Sequence, residues 1–182
     1  MKNNNYIKNL TRSAMFLALA FVLPFLTGQI PQVGSMLCPM HIPVLLCGYF
    51  CGGPWGLLVG FIAPVFRSLT LGMPPMFPTA FCMAFELATY GLCSGILYRR
   101  LPKTKAMVYV SLLVSMVLGR IVWGIAMFGC LGFDSNQFGI EKFLAGAVTT
   151  AIPGIVIQIV LVPLVVIGLR RFVIAESKGR WP

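Results

Sequence analysis

Long apolar runs, separated by short polar or Gly- and Pro-rich segments, fill most of the chain. A bilayer core about 30 Å thick needs about 20 helical residues, so 182 residues hold roughly six spans with short connections. The pattern predicts an all-α integral membrane protein, with residues 1–182 forming a single six-helix membrane domain. The predicted spans cover about residues 13–27, 41–52, 54–71, 79–98, 106–128 and 140–169.

The apolar run from Ile42 to Phe66 fits either one long helix or two short ones that turn at Gly52, Gly53 and Pro54. Turn chemistry favours two helices. With two, all three basic clusters lie on one side of the membrane, which the positive-inside rule makes the cytoplasmic side. We therefore predict that both termini are cytoplasmic. The clusters are Lys2, Lys8 and Arg12; Arg99, Arg100, Lys103 and Lys105; and Arg170, Arg171, Lys178 and Arg180.

Composition narrows the class of protein further. The chain is 58% hydrophobic and 10% charged, and its mean hydropathy is +0.90, as expected of a membrane protein. Its net charge of +10 lies mostly in the basic clusters, so it reports membrane orientation and predicts no nucleic-acid partner. The six cysteines are scattered through apolar segments, and we interpret them as small buried hydrophobes rather than metal or redox groups.

Motifs for catalysis and for nucleotide binding are absent. The sequence has no HExxH, GxSxG or Walker A pattern and no pair of histidines or acidic residues at metal-ligand spacing. We therefore expect no enzymatic activity, no metal and no cofactor. The possible functions that remain are ligand binding, passive transport, and transport energised by a partner protein.

Charged residues within the apolar spans are the main functional signal. Arg67, Glu86 and Arg120 all fall in the predicted outer half of the spans. A charged side chain that faces lipid costs at least a few kcal/mol, so each should face a partner, a cavity or a ligand. One interpretation is an internal Arg–Glu pair that holds helices together. Two arginines and one carboxylate leave one positive charge unpaired, however. A bound anion could pair with it, and arginine is well suited to binding a carboxylate in bidentate geometry.

Aromatic side chains share helix faces with these charges. Tyr90 lies one turn after Glu86, and Trp123 lies close to Arg120 on the same predicted helix. Such a stripe is compatible with ordinary helix packing. It is also compatible with the apolar wall of a small-molecule site that carries a few polar groups.

Three further polar residues complete the predicted site. His41, the only histidine, stands at the outer mouth of the second span, where a structural role is the alternative. Asn136 and Gln158 offer hydrogen bonds to a ligand, although Asn136 also fits an ordinary loop. The predicted substrate-binding residues are Arg67, Glu86, Tyr90, Arg120, Trp123, Asn136, Gln158 and His41.

The first span predicts a surface for a partner helix. Ala14 and Ala18 lie one turn apart, and this small-xxx-small spacing permits close helix approach. Together with six short spans and the segments PMHIPVLLCGYFCGGPWGLLVGFIAPVFRSL and FPTAFCMAFELATYGLCSGILY, the AxxxA motif resembles a substrate-binding S component of an energy-coupling factor (ECF) transporter. The resemblance covers nearly the whole chain.

This resemblance implies a six-helix bundle that captures a vitamin or related micronutrient from outside. It also implies a transmembrane coupling protein, which would contact the face of Ala14 and Ala18, and two cytoplasmic ATPases. The S component would topple in the membrane to release its substrate inside. Loops at about residues 28–40, 72–78 and 129–139 would cover the site.

The resemblance does not name the ligand, because family members differ strongly in substrate. The excess of positive charge makes a carboxylate such as pantothenate the first candidate, with riboflavin, folate, niacin, a pyridoxine-like compound and a queuosine precursor as alternatives. Two other classes stay open. One is a membrane-embedded enzyme acting on a lipid or isoprenoid through Glu86 and an arginine, and the other is a purely structural subunit.

Overall fold

A computed structural model describes residues 2–27, 38–102, 104–131 and 152–178, and every regular element in these ranges is helical. The prediction of an all-α helical membrane bundle is thereby confirmed. The helices are α1 (Lys2–Val22, continued by a tighter turn at Leu23–Thr27), α2 (His41–Cys51), α3 (Gly53–Leu71), α4 (Phe81–Arg100, preceded by a helical turn at Met76–Ala80), α5 (Lys105–Leu131) and α6 (Ile152–Lys178).

Five of the described helices are long and apolar enough to cross a membrane. The exception is α2, which has 11 residues and is too short to cross a bilayer core of about 30 Å alone. Nearly all of its side chains are buried, so α2 is an internal helix enclosed by the others. The first helix starts at Lys2, well before the predicted span. Residues 140–151 of the predicted sixth span lie outside the described residues.

A glycine turn separates α2 from α3. Gly52 has a φ of +102°, a conformation that glycine adopts without steric penalty. Its backbone N–H donates to the Gly48 carbonyl oxygen at 3.0 Å, and Arg99 Nη2 donates to the Cys51 carbonyl oxygen at 3.2 Å. The apolar run from Ile42 to Phe66 therefore holds two helices, whose junction is capped by an arginine of α4.

Two contacts identify which helix ends lie together. Arg99, in the last turn of α4, reaches the α2–α3 turn at Cys51. The ring of Tyr6, near the start of α1, lies 5.3 Å from the ring of Trp55 at the start of α3. The first two basic clusters thus belong to one end of the bundle, and the connection between α3 and α4 belongs to the other. Cytoplasmic placement of the basic end remains a prediction from the positive-inside rule.

Glycines allow α4 to approach its neighbours closely. α4 packs against α2, α3 and α5. Gly91 of α4 lies against the backbone of Gly56 in α3, and a β-carbon at either position would collide with the other's backbone. A second close approach brings Gly60 against the backbone of Leu87. Contacts between small residues are a main source of helix association inside a membrane, where lipid removes most of the hydrophobic driving force.

We expect Gly91→Ala to lower the thermal unfolding midpoint by several degrees. The added carbon meets the Gly56 backbone, which cannot rotate away as a flexible side chain would, and overpacking typically costs about 1–3 kcal/mol. Gly168→Ala on α6 is the matched control, because its added carbon has nothing within 4 Å. Thermal unfolding in detergent measures both variants. Equal midpoints would contradict the close α3–α4 approach.

Candidate functional site

The candidate site is centred on the carboxylate of Glu86. Glu86 is only 1% exposed, so its charge requires partners within the protein. Three such partners lie close to one carboxylate oxygen, Oε1. The Tyr90 hydroxyl donates to it at 2.9 Å, Arg120 Nη1 lies at 3.1 Å, and His41 Nε2 lies at 3.6 Å. The structure thus brings together four of the predicted site residues, and we call them the Glu86 cluster.

Local sequence explains how three helices reach one carboxylate. Tyr90 follows Glu86 by one turn of α4, so its hydroxyl can meet the carboxylate on the same face. His41 is the first residue of α2, and its ring lies 5.3 Å from that of Tyr90. Arg120 comes from α5, where a side chain at the preceding Gly119 would collide with the Tyr90 ring. The glycine therefore makes room for Tyr90 beside Arg120.

The Glu86 cluster contains an ion pair, but its hydrogen bonds are incomplete. The Arg120 and Glu86 side chains, 18% and 2% exposed, form an ion pair. Within the described ranges, both ring nitrogens of His41 and Nε of Arg120 are buried without a hydrogen-bond partner. Unsatisfied buried polar groups are uncommon in folded proteins. These atoms therefore have capacity for a ligand or a water.

Arg67 has a different environment. It is 5% exposed, and its Nη1 donates to the Phe21 carbonyl oxygen at 3.1 Å. Its guanidinium carbon lies 5.5 Å from the centre of the Phe25 ring, a cation–π distance. No acidic side chain pairs with Arg67 among the described residues. Of the two intramembrane arginines, Arg120 is the one neutralised by Glu86, and Arg67 is held by α1.

Apart from Arg67, five predicted residues are not members of the Glu86 cluster. Trp123 lies three positions after Arg120 on α5 and is partly buried. Gln158 on α6 is 2% exposed, and its Oε1 has no hydrogen-bond partner among the residues described. Asn136 lies outside the described residues. Ala14 and Ala18, the predicted partner surface, are both exposed on α1.

Several neighbours of the site were not identified from the sequence. The Cys38 thiol lies beside the Arg120 guanidinium, although the cysteines were interpreted only as small hydrophobes. Gly119 carries a local signal, since it directly precedes an intramembrane arginine. The contacts of Phe21 and Phe25 with Arg67 have no such signal, because they depend on how α1 packs against α3.

Comparison with known proteins identifies one matching family. A family model described as ECF transporter, substrate-specific component, matches residues 8–166. The matched region includes every member of the Glu86 cluster, Arg67, and the alanines of α1. No curated protein and no solved structure matches the chain.

Proposed function

The chain belongs to the family of substrate-specific components of ECF transporters, and from this premise we propose that it captures a vitamin-like micronutrient at the outer face of a bacterial plasma membrane. The family consists of transporter subunits rather than enzymes. The observation that carries the proposal at residue level is the convergence of α2, α4 and α5 on the buried Glu86. This convergence of three helices places polar atoms inside an otherwise apolar bundle.

Arg67 is the group that we propose to hold a carboxylate of the substrate. Arg120 is already neutralised by Glu86, whereas the contacts of Arg67 within the described ranges are a backbone carbonyl and an aromatic ring. A guanidinium presents several N–H donors in a planar fork, so donors remain for a carboxylate after Phe21 has accepted one. This supports pantothenate or a similar small carboxylate as the first candidate.

The Glu86 cluster would contact the polar part of the same substrate. His41, Tyr90 and Arg120 provide hydrogen-bonding groups next to aromatic rings. We include Trp123, Gln158 and Asn136 as further substrate-binding residues. Arg67 lies near the end of α3 and Glu86 near the start of α4, so the short connection between these helices joins the two parts of the site.

Energy for uptake would come from partner proteins, because the sequence has no nucleotide-binding motif. We propose a transmembrane coupling protein with two cytoplasmic ATPases. The exposed Ala14 and Ala18 provide the contact surface, since small residues allow the helix of a partner to approach closely.

Arg67→Met should weaken carboxylate binding by roughly 30-fold or more, because losing a partner of a buried charge pair typically costs about 2–5 kcal/mol. Methionine keeps an unbranched apolar stem at this buried position and removes the charged guanidinium. A ligand that binds only the folded state raises the unfolding midpoint. The assay is therefore thermal unfolding of wild type and variant against a vitamin panel that includes pantothenate and riboflavin.

Arg100→Met is the matched control, since Arg100 is exposed at the basic end of α4. It should bind as the wild type does. Unchanged affinity of Arg67→Met for a carboxylate vitamin would refute the assignment of Arg67. A purely structural subunit also accounts for the Glu86–Arg120 pair, but it predicts that no member of the panel stabilises the wild type.

A further inference from the structure

A pair of thiols joins α4 to α5 outside the Glu86 cluster. The Sγ atoms of Cys82 and Cys130 lie 3.7 Å apart, and neither cysteine is in a disulfide. Cys82 is fully buried, whereas Cys130 is partly exposed. The two sulfur atoms are therefore in van der Waals contact across the interface between α4 and α5.

We propose that Cys82 and Cys130 form a reversible disulfide under oxidising conditions. The sulfurs in a disulfide are about 2.05 Å apart, so the two atoms would have to approach by roughly 1.7 Å from their present separation. Cys130 is the last but one residue of α5, and Cys82 is the second residue of α4, directly after the helical turn at Met76–Ala80. A helix end adjusts more easily than a helix centre, so most of the movement would fall to Cys130.

The position of the pair suits this chemistry. α4 ends and α5 begins around the basic segment Arg99 to Lys105, so the start of α4 and the end of α5 belong to the opposite end of the bundle. The charge distribution predicts that this opposite end is outside the cell. Disulfides form and persist in the oxidising compartments outside the cytoplasm.

The Cys82–Cys130 bond would form by thiol–disulfide exchange with an oxidant that is itself a disulfide, either a small molecule or a protein. The more accessible Cys130 loses its proton and attacks one sulfur of the oxidant disulfide, which releases one thiolate. Cys82, after losing its proton, attacks the Cys130 sulfur and releases the second thiolate. Two cysteine thiols are oxidised, one Cys82–Cys130 bond forms, and the oxidant leaves as two thiols after taking up the two protons.

The bond would link the two helices that carry the ion pair of the Glu86 cluster. Cys82 lies one helical turn before Glu86 on α4, and Arg120 lies on α5 with Cys130. A covalent link between distant positions restricts the unfolded chain and generally stabilises the folded state. The link would therefore hold α4 against α5 beside the site.

The test uses the purified full-length protein in detergent, reduced and then incubated with oxidised glutathione. The protein is then unfolded in denaturant so that buried thiols become accessible, free thiols are blocked with N-ethylmaleimide, and intact mass and peptide mapping follow. We expect the number of modified cysteines to fall from the six in the sequence to four, with a cross-linked peptide that joins Cys82 to Cys130. Dithiothreitol should restore all six. The linked protein should also unfold at a midpoint several degrees higher than the reduced protein.

Three variants control the assignment. Cys82→Ala and Cys130→Ala should each abolish the cross-linked peptide, whereas Cys93→Ala, which removes a partly buried thiol from the same helix α4, should leave it. Six modified cysteines after oxidation, a lasting glutathione adduct on Cys130, or a link from Cys82 to another cysteine would each overturn the proposal. Equal midpoints for the linked and reduced proteins would contradict the stabilising connection between the helices.

Discussion

Glu86→Gln should destabilise the protein more than replacement of Glu86 and Arg120 together. The single change leaves the mostly buried Arg120 guanidinium without its carboxylate, and breaking a buried pair from one side costs about 3–5 kcal/mol. Arg120→Met should be destabilising for the same reason, because it leaves the Glu86 charge with His41 and Tyr90 only. The double variant removes both charges and so avoids the unpaired ion.

A double-mutant cycle measures this coupling. Glu86→Gln, Arg120→Met and the double variant are unfolded by heat or denaturant in the same detergent. The free energy of interaction is expected to be at least about 3 kcal/mol, because the double variant should be less destabilised than Glu86→Gln alone. The cycle concerns the pair itself and needs no ligand. If the two single effects simply add, Glu86 and Arg120 do not form a coupled pair.

Ala14→Trp and Ala18→Trp should stop substrate uptake while leaving substrate binding intact. Both alanines are exposed on α1, so a larger side chain there does not enter the core of this protein. It would, however, prevent a partner helix from approaching at the short distance that small residues permit. Uptake of a labelled vitamin by cells and co-purification of the coupling protein measure the first effect, and thermal stabilisation by the vitamin measures the second.

Leu19→Trp is the control for this surface, because Leu19 is 41% exposed on the same helix but lies roughly 140° from Ala14 and roughly 100° from Ala18 around the helix axis. It should retain both uptake and binding. Normal uptake and co-purification in the two alanine variants would exclude the Ala14–Ala18 face as the partner interface.

Those parts of the fold that depend on local sequence were predictable. Apolar runs of spanning length indicate membrane helices wherever they occur, and the Gly52–Gly53–Pro54 sequence marks the turn between α2 and α3 because few other residues permit that backbone. The enclosure of α2 was not predictable in this way. Its apolar composition suits a lipid-facing helix as well as a buried one, and only its short length and its neighbours decide between them.

The site was predictable to a similar extent. The spacing of Glu86 and Tyr90 on one helix is local information, and counting along the spans placed Arg67, Glu86 and Arg120 in the outer half of the membrane. The choice of partner for Glu86 depends on how each helix is rotated about its axis. Packing of α1 directs Arg67 toward Phe21 and Phe25, while Gly119 lets α5 bring Arg120 beside Tyr90. Long-range packing of this kind is not revealed by any simple spacing of residues along the sequence.

Native mass spectrometry of the gently purified full-length protein tests the proposed substrate capture most directly. A micronutrient held inside the bundle should remain bound in the gas phase, and release of the small molecule then permits its identification. We predict one vitamin-like molecule for each protein molecule in the wild type, and its loss in Arg67→Met. A wild-type protein that carries no small molecule, and that no vitamin of the panel stabilises, would contradict the proposed function.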